Sequence, residues 1–349
     1  MRLLILGTGR MAGAHAEAFS RISGVSLVGC VDINAETAQA FAAKHAIPQA
    51  FTSIEDAAQA VVFDAVTNCT PDMAHHGTTM AAMKTGAHVF CEKPLATNYA
   101  DAIEMADEAQ RLEIVHAVNL TYRNVAALQK ARDIIEAGGI GAVRHFEASY
   151  LQSWLTQPAW GDWRTDPTWL WRLSSKHGSL GVLGDVGIHI VDFASFAIGA
   201  DVRTLTGQLA TFDKAPGGKI GDYTLDANDS FSATMTLASG ALGVVHASRF
   251  ATGHLNDLSL SIFGDLGGVR LTNTGPLGTL EICDGSGMET GSWRSVPLMP
   301  VPTNFERFAR AVQTGQGMTP DFHTGARLQA VLDGVFEASR TGREISLKS

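Results

Sequence analysis

The chain has 349 residues, 45% hydrophobic and 17% charged, a composition that builds packed cores and excludes disordered or collagen-like architectures. A formal net charge of −9, with no basic run, opposes nucleic-acid binding, which needs Lys and Arg gathered on one face. The length exceeds the ~250–300 residues at which single cores stop growing, so two domains are expected.

In chain order, Met1-Arg2 leads into an apolar run too brief for a signal-peptide core. Short apolar runs then alternate with Ala-rich helical stretches. Strands are predicted at Arg2–Leu6, Ser26–Asp32, Ala65–Cys69, His88–Cys91 and Ile114–Val118, and helices at 12–22, 35–45, 74–85 and 98–111. This β-then-α order predicts an α/β fold whose first part, residues 1–122, is a doubly wound parallel sheet with helices on both faces.

From residue 123 to 349 the pattern changes to strands in succession: Ala142–Leu151, Val202–Thr211, Asp229–Leu237, Leu242–Arg249, Leu258–Phe263, Val269–Thr272 and Leu280–Cys283. Helical patterns return at 304–314 and 324–340, which makes the second part an α+β domain with a mostly antiparallel sheet. The most apolar stretch, 182–200, is interrupted by Asp185, His189 and Asp192, so no membrane partner is expected and the protein reads as cytoplasmic. Cys30, Cys69, Cys91 and Cys283 lack the close pairs of zinc or redox motifs and read as structural thiols.

Three segments carry chemistry. GTGRMAGAHA follows the first strand and opens a helix, placing Gly7, Gly9 and Ala12 in the G-x-G-x-x-G/A dinucleotide pattern, with Thr8, Arg10 and Met11 in the same turn. Gly7 permits the tight turn, Gly9 lets backbone approach a pyrophosphate, and Ala12 lets the helix pack closely on the strand. Asp32 closes the second strand where a carboxylate accepts from adenosine ribose hydroxyls and repels a 2′-phosphate, which favours NAD while leaving NADP open.

In HVFCEKPLA a strand ends at Cys91 and Pro94 fixes the following turn, aiming Lys93 into the crevice at the strand ends. In GVLGDVGIHIVDF, Asp185 and His189 stand four apart. If that segment is helical they share a face, where the carboxylate orients an imidazole suited to proton transfer. A capping Asp with a core His, or a metal site of Asp185, His189 and Asp192, are the alternatives for the same residues.

Taken with NCTPDMAHH, Thr121-Tyr122-Arg123 and the closing TPDFHTGARLQAVLDGVFEASRTGREISL, these segments make the chain resemble the Gfo/Idh/MocA family, the glucose–fructose oxidoreductase and inositol dehydrogenase superfamily. The resemblance implies a Rossmann domain joined to an open-faced sheet domain that mediates oligomer contacts, here a homodimer or homotetramer. It implies a nicotinamide-dependent dehydrogenase acting on the alcohol of a sugar, inositol or other polyol. Lys93 becomes the lysine contacting the nicotinamide ribose and the reacting oxygen, His189 the acid/base and Asp185 its companion. Thr70, Pro71 and His75 match the stretch beside the nicotinamide half, Glu92 a cofactor-side position, and Tyr122 and Arg123 the rim of the site.

Five of six tryptophans fall between Trp154 and Trp171, among charged residues that suit a polyhydroxylated ligand. Trp171, Arg172 and Lys176 are the substrate candidates there. The spaced glycines of HGSLGVLGD depart from the family's glycine run and leave the sugar unspecified. An NAD-using glycosidase of the same fold, or a non-catalytic NAD-binding regulator, are the alternative functions.

Overall fold

The computed structural model describes residues 1–158 and 160–347. They form two compact units, Met1–Thr121 with Pro302–Gln329, and Tyr122–Val301 with the residues from Ala330 onward.

The first unit is built on a parallel sheet of β1 (Arg2–Leu6), β2 (Ser26–Val31), β3 (Ala50–Phe51), β4 (Ala65–Asn68), β5 (His88–Cys91) and β6 (His116–Val118), in the order β3-β2-β1-β4-β5-β6. Leu3, Leu4 and Ile5 are fully buried, as expected of a strand covered on both faces. Helices α1 (Arg10–Ser20), α2 (Ala35–Lys44), α3 (Ile54–Ala60), α4 (His75–Lys84) and α5 (Tyr99–Arg111) connect the strands. The strand order reverses between β1 and β4, and a ligand crevice opens at the carboxyl ends of strands at such a switch point. Neither β3 nor α3 is among the predicted elements: β3 has only two residues, and α3 is a seven-residue helix started by the Ser53 side chain accepting from Asp56 N.

The second unit opens with α6 (Ala126–Glu136) and β7 (Val143–Gln152), followed by the one-turn α7 (Pro167–Leu170) and by α8 (Ile188–Ile198). Strands β8 (Val202–Ala210), β9 (Lys219–Ile220), β10 (Tyr223–Thr224), β11 (Ser230–Leu237), β12 (Leu242–Ser248), β13 (Asn256–Gly264), β14 (Gly267–Thr272) and β15 (Thr279–Asp284) come next. The short α9 (Gly287–Thr290) and β16 (Arg294–Ser295) complete this part. With β17 (Ile345–Ser346), the large sheet runs β16-β15-β14-β13-β7-β12-β11-β8-β17, and its β7–β12 pair is parallel while the other pairs are antiparallel. Burial alternates along β11 and β7, so one face of the sheet is apolar. Helix α8 packs against β7, β12 and β13.

The segment 302–329 belongs to the first unit. It carries α10 (Asn304–Thr314), begun by a capping box of Thr303 and Glu306, and the start of α11 (Phe322–Thr341). Phe305 and Phe308 join Phe19 and Phe90 in an aromatic cluster over the sheet, with Phe19 edge-to-face to the other three and Phe90 tilted against Phe305 and Phe308. The Pro320 carbonyl accepts from Val118 N, which ties the edge strand β6 to this segment.

Candidate functional site

In the first unit the turn after β1 has the shape its glycines predict. Gly7 lies at φ +83°, and a Cβ there would stand 2.8 Å from the Cys69 carbonyl and from Thr70 N. Nothing lies within 4 Å of a Cβ placed on Gly9, so that position opens onto free space. Ala12 is fully buried against the strand.

The start of α1 differs from those of α2, α3 and α5, whereas α4 is entered through the 3-10 turn Asp72–Ala74 without a side-chain cap. Helices α2, α3 and α5 are capped by the side chains of Asn34, Ser53 and Asn98, and each has an acidic residue in its first turn. Helix α1 has neither: Gly9 sits at its N-cap and supplies no side chain. The first-turn N–H groups therefore keep their capacity for an anion, and the helix dipole favours one. These residues fit the pyrophosphate of a dinucleotide.

Asp32 stands just beyond β2. One carboxylate oxygen accepts from Thr8 N at 3.0 Å and Thr8 Oγ1 at 2.6 Å, and the other from Asn34 N at 3.0 Å. Thr8 is thus recruited to hold Asp32 at the sheet edge. Arg10 and Met11 are exposed on the same turn.

At the ends of β4 and β5, Asn68 Oδ1 accepts from both Thr70 N and Thr70 Oγ1, fixing the entry to Pro71. His75, fully buried at the start of α4, lies 2.8 Å through Nε2 from the Thr70 carbonyl oxygen and 2.7 Å through Nδ1 from that of Pro94. Burial disfavours its charged form, but the Cys91 and Asp72 side chains and the Pro94 carbonyl outweigh this and raise its pKa to about 10.

Glu92 turns inward. Its Oε1 contacts His15 Nε2 at 2.8 Å and accepts from Asn119 Nδ2 at 2.6 Å, while Oε2 accepts from Lys93 N at 3.2 Å. Burial alone would push this carboxyl up; the His15 contact, Asn119 and Lys93 more than offset it and hold it at about 2. Glu92 thus braces the turn that presents the half-buried Lys93.

In the second unit Asp185 lies on a π-helical turn, Leu183–Gly187, and His189 in the first turn of α8. Asn228 stitches the approach to this turn, accepting from Leu183 N and donating to the Leu180 carbonyl. It lies so close to Gly181 (φ +70°) that a Cβ there would stand 2.4 Å from it. Asp185 accepts from Arg249 at 2.9 Å and lies 3.6 Å from Arg172. Arg249 is fully buried, donates also to the Arg172 carbonyl and lies over the Trp154 ring.

Buried His189 meets the Tyr122 ring edge-on at a centroid distance of 5.0 Å. The Tyr122 hydroxyl lies 2.5 Å from that of Tyr150, and Asn256 bonds to both. Gln152 donates to Asn256 Oδ1 and accepts from Trp154 Nε1, which extends the network. Sequence reading missed Tyr150, Gln152 and Asn256, because the register of β7 against β13, with Gln152 opposite Asn256, brings together residues about a hundred positions apart, and it missed Arg249, which follows β12 and reaches Asp185 across 64 positions.

Arg123 does not face outward. Its guanidinium makes a bidentate pair with Asp192, both side chains buried, and stacks over Phe196. Trp154 and Trp163 are core residues packed with Leu155, Leu170, Leu173 and Leu225. Trp171 is half-buried with the Arg172 guanidinium over its ring, and Lys176 is exposed.

Two family models cover most of the chain: residues 1–120 match the oxidoreductase family with an NAD-binding Rossmann fold, and residues 128–270 match the GFO/IDH/MocA C-terminal domain. The chain belongs to the Gfo/Idh/MocA family. Within this oxidoreductase family it is 26% identical to levoglucosan dehydrogenase of Pseudarthrobacter phenanthrenivorans over 306 residues, 77% of this chain and 76% of that one. It is 27% identical to D-glucoside 3-dehydrogenase of Escherichia coli, over 99% of this chain and 97% of that one. Its fold matches that of a levoglucosan dehydrogenase solved with NADH and L-sorbose, at a TM-score of 0.88 and 24% identity over 100% of this chain and 99% of that one. Among the described residues, no helix of this Gfo/Idh/MocA protein is long and apolar enough to cross a membrane.

Proposed function

We propose that this protein is an NAD-dependent dehydrogenase that oxidises a secondary alcohol of a sugar or polyol, or reduces the corresponding ketone. The observation that carries the reading is the uncapped N-terminus of α1 behind Gly7 and Gly9, where the left-handed Gly7 and the open space at Gly9 leave room for a pyrophosphate. The Asp32 carboxylate, held by Thr8, favours a free ribose 2′-hydroxyl over a phosphate and hence NAD over NADP. The names of the relatives, levoglucosan and D-glucoside dehydrogenases, support a carbohydrate as substrate.

A bound nicotinamide dinucleotide supplies the hydride acceptor or donor. In this reading Lys93 stabilises negative charge developing on the substrate oxygen, and His189 takes the hydroxyl proton or returns it. Asp185, tied to Arg249, holds fixed negative charge beside the reacting group. Arg172, with its guanidinium over Trp171, and Lys176 serve the substrate hydroxyls, with Tyr122 beside His189. Thr70, Pro71 and His75 border the nicotinamide half of the cofactor. The outward face of the large sheet, where Leu242, Val244 and Phe263 are exposed, is the surface on which a homodimer or homotetramer assembles in a cytoplasmic setting.

The test is a screen of aldoses, glycosides, inositols and keto-sugars with NAD and NADP, followed through nicotinamide absorbance, with the Lys93→Met variant run in parallel. Turnover with one carbohydrate class is expected, lost by about a hundredfold or more in the variant while NADH still binds. Undiminished turnover in Lys93→Met would remove this lysine from the mechanism.

A further inference from the structure

His75 is bonded differently from buried His15 and from the half-buried His88 and His116 of its unit. His88 and His116 each accept a backbone N–H at Nδ1, from Val115 and Phe322, as a neutral ring does. His15 faces the Thr67 hydroxyl, which donates or accepts as required, and the Glu92 carboxylate. Both ring nitrogens of His75 instead face carbonyl oxygens, Pro94 O at 2.7 Å and Thr70 O at 2.8 Å. A carbonyl oxygen only accepts, and a neutral imidazole has one N–H and one lone pair. A neutral ring would aim its lone pair at one of these oxygens with no water to intervene, because the side chain is fully buried.

We propose that His75 is held as the doubly protonated imidazolium, and that in this state it is the positioning residue that clamps the loop after β4 to the loop after β5. Its two N–H donors tie the Thr70 carbonyl to that of Pro94, so the Thr70-Pro71 turn and the Lys93-Pro94 turn move as one piece. The groups acting on the ring are the Cys91 and Asp72 side chains and the Pro94 carbonyl, with the Thr70 carbonyl facing Nε2. The clamp's functional half rests on the cofactor site proposed above; the charge assignment does not.

The charge is read from 15N-histidine-labelled protein without dinucleotide, by proton-coupled nitrogen spectra between about pH 6 and pH 9. Two protonated ring nitrogens on His75 are expected throughout, while free histidine added as an internal reference loses a proton over the same range; one bare nitrogen on His75 at about pH 7 would overturn the assignment. The clamp is read from NADH affinity in His75→Gln, expected to weaken by about tenfold, which corresponds to ~1.4 kcal/mol of binding free energy. A folded variant that binds NADH as the wild type does would overturn the positioning role. Should the variant not fold, the wild-type spectrum still decides the charge. A wild type that bound no NADH would sink the cofactor site without altering the nitrogen spectrum.

Discussion

Glu92→Gln isolates the one charge that separates a braced Lys93 turn from a loose one. Glu92 is buried, and its pKa falls from 4.5 to about 2 on the strength of His15, Asn119 and Lys93. At about 1.4 kcal/mol per pH unit, the ionised form therefore stabilises the native state by about 3 kcal/mol relative to the protonated form, which glutamine imitates. The folded pKa is depressed, so this stability is present above about pH 4.5 and is lost as pH falls through about 2. The wild type should exceed the variant by about 3 kcal/mol at pH 7, and by roughly half of that near pH 3. All six tryptophans lie beyond residue 121, so fluorescence does not read the first unit. Hydrogen exchange of the β5 and β6 amides in urea reads it directly, with urea midpoints by circular dichroism repeated across that pH range. A variant as stable as the wild type at pH 7, or a gap unchanged near pH 3, would refute the network.

Arg123→Met should cost about 3–5 kcal/mol by leaving the Asp192 carboxylate buried alone, and adding Asp192→Leu should recover most of it. Tryptophan fluorescence in urea reports this in the second unit, and a single variant within about 1 kcal/mol of wild type would contradict the pairing. Gly7→Ala places a methyl 2.8 Å from the Cys69 carbonyl at a φ of +83°, adding about 1–3 kcal/mol of backbone strain to the overlap. NADH binding by titration calorimetry should be abolished, and wild-type affinity in this variant would remove the turn from the cofactor site.

Much of this architecture is legible in the residues. Apolar runs such as Leu3 to Leu6 have the continuous burial of parallel strands, and the Gly7 turn lies where its motif puts it, because consecutive residues carry both signals. Pairings between distant positions are not legible. Glu92 sits in a motif that suggests contact with a ligand, yet its carboxylate faces His15, which is 77 positions away in the chain. Arg123 follows the same logic with Asp192, since nothing local to Thr121-Tyr122-Arg123 signals a buried acid on α8. The π turn at Asp185 follows from glycines and an Asn228 contact that periodicity does not encode.

Residues 302–329 give the first unit a split ancestry in the chain: its last piece is synthesised after some 180 residues of the other unit, from Tyr122 to Val301. During translation Phe19 and Phe90 must wait uncovered until Phe305 and Phe308 emerge. A fragment stopped at residue 121 would therefore expose an aromatic surface and lose the Pro320 contact on β6, making it a poor stand-alone dinucleotide binder despite carrying the whole glycine motif.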